Sequence, residues 1–166
     1  MSSSLFDDLD SSPSARMDSA DSRTLRLSAH PLTEAELDGL VRYQEAFLGY
    51  LEHAPQGTGA ALVPAHEAGL QASGLPVKVV ELGTALLRAY CGQRWTARTL
   101  RERLDALEAQ PDARERVDKG RGELRRLEDL EPLARRYGQG SIDLLNGRED
   151  RLVALHTRMQ KALTHA

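Results

Sequence analysis

The residues able to do chemistry are few and scattered. Cys91 is the single cysteine, and histidines stand at positions 30, 53, 66, 156 and 165. A cysteine nucleophile needs a base at hydrogen-bonding distance and a lowered pKa. None of the histidines is a close neighbour of Cys91 along the chain. One thiol also excludes an internal disulfide, and no CxxC or Cys/His cluster is present to hold a structural metal. There is no HExxH, and no glutamate lies three residues before any histidine, so the ExxH pair of di-iron bundles is absent. The stretch GTGAALV lacks the lysine and hydroxyl residue of a phosphate loop, and no GxSxG occurs. The expectation is a chain that is not an enzyme and carries no cofactor and no metal.

The one unusual concentration of side chains is AYCGQRWTARTLRERL, residues 89–104, which also holds the single tryptophan. Between 88 and 104, Arg88, Arg94, Arg98, Arg101 and Arg103 stand against Glu102, a balance of 5 − 1 = +4. Residues 32–53 carry Glu34, Glu36, Asp38, Glu45 and Glu52 against Arg42, or 1 − 5 = −4. Two opposite charged faces on one small domain can pair within the fold, pair between copies, or attract a partner. Arginine forks recognise carboxylate and phosphate bidentately. Cys91 reads as a small buried hydrophobe and Trp95 as cover for a helix junction. Trp and Arg are also the residues enriched where proteins meet, so Arg94, Trp95, Arg98 and Arg101 are the candidate partner-binding set.

The elements that must position these residues are helices. Aromatic residues make up only 4% of the 166, so the core must come from Leu, Val and Ala, which suits packed helices. Leu32-Thr33-Glu34-Ala35-Glu36-Leu37 combines an N-cap threonine, a glutamate at N3 and flanking leucines, which is a capping box with a hydrophobic staple. The stripe Leu37, Leu40, Val41, Gln44, Phe47, Leu48, Leu51 then predicts a helix over 33–53. A second helix is expected over 61–73, closed by Gly74.

Pro76 suits a first helical turn, and Val79, Leu82, Leu86, Tyr90, Leu100, Leu104 and Leu107 continue one phase. Gly92 leaves open whether 76–110 is one helix or two. Pro111 reads as another first-turn residue before a charged segment, 112–137, with eight basic and seven acidic residues. Pro132 should end or kink that segment. Ile142, Leu145, Glu149, Leu152, His156, Met159 and Leu163 form a heptad seam like that of a coiled coil, which favours an uninterrupted helix over 141–163. The turn signal Asn146-Gly147 argues against it.

Residues 1–31 are dominated by Ser and Asp, with too little apolar area to offset ordering entropy. They are expected to form a disordered tail, and residues 32–166 an all-α bundle of four to five amphipathic helices. Within the tail, Leu5, Phe6 and Leu9 lie among acids and form a candidate docking element. No secretory signal and no apolar run long enough to span a bilayer is visible, so a cytoplasmic protein without membrane contact is expected. The 19 arginines against 3 lysines suit a GC-rich, bacterial genome.

These observations converge on a small cytoplasmic interaction or regulatory module, adaptor-like or scaffold-like, acting by protein–protein recognition. The simplest form is a homo-oligomer, self-associating through Leu152, His156, Met159 and Leu163. The runner-up is a nucleic-acid-associated regulator using residues 94–103 as a recognition helix. The net charge of −3 and the lack of interleaved aromatics weigh against that alternative.

Overall fold

In the computed structural model, residues 31–54 and 58–164 are described, and all secondary structure among them is helical. Seven segments follow in order: α1 (Glu34–Glu52), α2 (Thr58–Ser73), α3 (Val77–Glu108), α4 (Arg114–Glu128), α5 (Glu131–Tyr137), α6 (Gln139–Asn146) and α7 (Glu149–Thr164). The all-α class stands. The chain is cut more finely than the four to five helices expected, because glycine and proline interrupt its second half. The tail residues, with Leu5, Phe6 and Leu9, lie outside the described residues. No helix among the described residues is long and apolar enough to cross a membrane.

Local chemistry explains most boundaries. At α1 the Thr33 hydroxyl accepts from Glu36 N–H at 3.2 Å and the Glu36 carboxylate accepts from Thr33 N–H at 3.2 Å. The capping box read from the sequence is therefore formed. Gly74 closes α2 at φ 66°, a backbone region that glycine enters without strain. Pro76 is the N-cap of α3 and sits just before its first turn.

α3 is one continuous helix of 32 residues that passes through Gly92. Pro111 corrects an expectation, since it lies in the turn ahead of α4 and not in a helical first turn. The charged segment is broken next to Pro132 as expected, with α4 ending at Glu128 and Pro132 within the first two positions of α5. The uninterrupted helix over 141–163 is also corrected. The Asn146-Gly147 turn wins, and α6 stops at Asn146 before α7 restarts at Glu149. Two short helices with a turn between them keep Ile142, Leu145 and Leu152 in the core, so the apolar seam never needed a continuous helix.

Packing follows the apolar stripes. Leu37, Leu40, Leu48, Leu86, Leu87, Tyr90, Ile142, Leu145 and Leu152 form the main core, drawn from α1, α3, α6 and α7. α1 and α2 form an antiparallel hairpin that is close enough for the Tyr43 ring to lie against the Cα of Gly69. A smaller cluster of Leu51, Ala61 and Ala65 closes the hairpin's tip, joined by Phe47, Ala54 and Ala162. α4 packs mainly on the second half of α3, where Leu104 lies over Gly120 and Val117 is its one buried side chain. α3 thus extends beyond the main core, with α4 folded back along it.

Candidate functional site

Three of the five arginines of the 88–104 segment fasten the fold from within, while Arg88 and Arg103 are exposed. Arg94 Nε donates to Glu149 Oε1 at 2.9 Å and Arg94 Nη2 to Glu149 Oε2 at 3.3 Å. Arg98 Nη2 reaches both Glu149 Oε1 at 2.9 Å and Asp150 Oδ1 at 2.6 Å. Arg101 is paired with Glu128 of α4. Burial alone would raise the Glu149 pKa, but the hydrogen bonds and charges of Arg94 and Arg98 outweigh it and hold the carboxyl below its ordinary range. Both acids also lie in the first turn of α7, where the helix dipole favours negative charge.

The neighbours of this fastening are equally structural. Tyr90 donates its hydroxyl to Asn146 Oδ1 at 2.7 Å, from a fully buried ring. Cys91 is buried, and desolvation followed by the Glu149 charge pushes its thiol up to about 12. Burial of this kind disfavours the thiolate on which cysteine nucleophilicity depends. Trp95 is half-buried beside it on α3. Among the described residues no group of three or more His, Cys, Asp or Glu side chains is placed to hold a metal ion.

The acidic face of α1 meets arginines as well, though not those of residues 88–104. Asp38 pairs with Arg148, Glu45 with Arg151 at 2.6 Å, and Glu52 with Arg158 at 3.0 Å. The three contacts climb in the same direction on both partners, so α7 runs parallel to α1. α7 is therefore the electrostatic centre of the bundle, offering acids to α3 from its first turn and arginines to α1 along its flank. Sequence reasoning missed Arg151 and Arg158. Their seven-residue offset, matching that of Glu45 and Glu52, was the available signal. Such pairs on a wet surface fix register more than stability.

The proposed self-association seam is largely covered by the chain itself. Leu152 is fully buried, Met159 packs against the main core, and Leu163 is exposed. His156 is half-buried, and its Nε2 has no hydrogen-bond partner. Burial, and then the positive charge of Arg88, holds its imidazole below the usual pKa.

What remains open lies on α2. This 16-residue helix contains one acidic residue, Glu67, and no lysine or arginine, and it packs chiefly on α1. Its outer side leaves Val63 68% and Leu62 40% exposed, and Tyr50 of α1 is 43% exposed at the same tip. A depression of about 500 Å³ lies there, lined by Tyr50, His53, Ala54, Ala60, Ala61 and Pro64. Leu163 follows directly on Ala162, which packs into the tip cluster. Four of the five exposed large hydrophobic residues of the described chain thus gather at one end. No protein-family model, curated protein or solved structure matches the chain.

Proposed function

We propose that the chain is a protein-recognition module whose docking face is the outer side of α2 together with the α1–α2 tip. The observation that carries this reading is the near absence of charge on an exposed helix. Glu67 and Gln71 are the polar residues on its exposed side, and the apolar surface gathered around Leu62 and Val63 marks contact with another macromolecule. A partner helix or loop would cover Leu62 and Val63, fill the depression beside Ala60 and Pro64, and meet Tyr50 and His53 as polar anchors. In the seam of Leu152, His156, Met159 and Leu163, the most exposed residue is Leu163, and a second copy of the chain would meet this tip. The buried, lone Cys91 suits a reducing, cytoplasmic setting.

The nucleic-acid alternative rests on residues 94–103, of which Arg103 is exposed. Arg94, Arg98 and Arg101 each neutralise a carboxylate of their own chain.

A photo-crosslinking residue placed at Val63, in cells that make the chain, tests the proposal. The expected outcome is one dominant protein adduct at Val63 and none at the exposed Ala85 of α3. Equal labelling from both positions, or none from Val63, would overturn it.

A further inference from the structure

A second apolar opening lies where the described chain begins. It has a volume of about 540 Å³, and its walls include Leu32, Val79, Leu82, Leu86 and Tyr137. Its size falls within the range of sites that receive a side chain or small ligand, roughly 300–1,000 Å³. The entry strand is anchored beside it, because Leu32 N–H donates to the buried Ser141 hydroxyl at 3.0 Å. Pro31 itself forms part of the wall. Residues 1–30 are therefore tethered to the edge of this groove.

We propose that the chain's own Leu5-Phe6-Asp7-Asp8-Leu9 segment occupies the groove. Two observations favour this occupant over a foreign one. The first is reach. The 21 residues between Leu9 and Pro31 would span roughly 25 Å as a coil, which gives tethered side chains an effective concentration in the millimolar range. Phe6 is the single aromatic residue among positions 1–30, and Leu5 and Leu9 are spaced to share one face with it on a helical turn. The second is charge. The first turn of α3 has no acidic residue and its N-cap, Pro76, supplies no side-chain cap. Lys78 of that turn stands at the groove. Asp7 and Asp8 supply the negative charge that a helix N-terminus with an adjacent lysine favours. On the opposite wall the Glu36 carboxylate is already engaged in the α1 capping box. The segment thus acts as an intramolecular plug, separate from the α2 face.

The full-length chain tests this directly. Ser4→Cys provides a site for a nitroxide label, and the buried Cys91 stays unlabelled. With Phe6 seated, amide signals of Leu82, Leu86 and Ser141 should lose intensity by roughly twofold or more, while those of Gly59 and Val63 stay unchanged. Phe6→Asp with Leu9→Asp in the same labelled chain should restore the intensities. Uniform or absent broadening would overturn the proposal. So would broadening that survives the Phe6→Asp change, or that disappears on dilution with unlabelled chain.

Discussion

Gly83→Ala should destabilise the bundle although it replaces glycine inside a helix. In an open helix interior this change gains about 0.5–1 kcal/mol. A Cβ on Gly83, however, would lie 2.4 Å from one Leu40 methyl and 2.7 Å from the other, whereas carbon atoms rest about 3.5–4.0 Å apart. Leu40 is fully buried in the main core and has no free volume to retreat into. Overpacking of this kind costs about 1–3 kcal/mol, and the severity of the contact puts it at the upper end. The net loss should be about 1–2 kcal/mol, or roughly 3–8 °C in Tm for a chain of this size.

Gly92 lies on the same helix with nothing within 4 Å of its would-be Cβ, so Gly92→Ala should stabilise by about 0.5–1 kcal/mol. Urea unfolding of both variants reads the contrast. A cycle with Leu40→Ala sharpens it. That change alone should cost about 2–5 kcal/mol, and in its background Gly83→Ala should become favourable, with a coupling of about 2 kcal/mol. Equal stabilisation by Gly83→Ala and Gly92→Ala would refute the close approach of α1 to α3 on which the core rests.

Other consequences follow from the same contacts. Glu149→Gln should cost about 1–2 kcal/mol at neutral pH, between the values for exposed and buried pairs. The Glu149 carboxyl is held below its unfolded value near 4.5, so its contribution is complete above that value and lost as pH falls through the lower folded one. Urea titrations of wild type and Glu149→Gln should therefore converge in acid, and a gap that persists there would count against the fastening.

His156→Leu should raise stability by about 1 kcal/mol, because it removes a buried nitrogen without a partner. The imidazole is held below 6.5 in the fold, so the unfolded chain binds the proton first and the wild type loses stability as pH drops below that value. Stability of the variant should be flatter from pH 7 to 5, and a variant as pH-sensitive as wild type would contradict this. Hydrogen exchange should be fastest in α4, which has Val117 as its one buried side chain, and slowest around Tyr90 and Leu87 in α3. Uniform protection of α4 and the first half of α3 would show that α4 is held by contacts other than those along α3.

Several local signals in the sequence were read well, though Pro111 was not among them. The Thr33 capping box, the left-handed Gly74 and the break of the charged segment next to Pro132 all depend on chemistry within four residues. The break after Asn146 was visible in the same way, but the apolar seam outweighed it, because seven-residue spacing survives a short turn. Pairing between helices was not legible. The sequence shows −4 on α1 and +4 around Arg98, yet Arg94 and Arg98 are met by acids in the first turn of α7, Arg101 by Glu128 of α4, and Asp38, Glu45 and Glu52 by Arg148, Arg151 and Arg158. Charge balance carries no information on which helices become neighbours. The openness of α2 was equally hidden, since an apolar helix reads as core until the number of helices packed against it is known. Arg94, Arg98 and Arg101 drew attention as a surface, and their partners more than fifty residues or a helix away turned them into fasteners.

The size of the chain's assembly in a native extract tests the docking face most directly. Immunodetection after size-exclusion chromatography would compare wild type with Leu62→Lys and Val63→Lys combined, after confirming that both melt alike. Wild type should elute in an assembly well above the 18.3 kDa of one chain, and the double variant should move to the position of the free chain. Elution of both at one position, whether large or small, would contradict a docking role for α2.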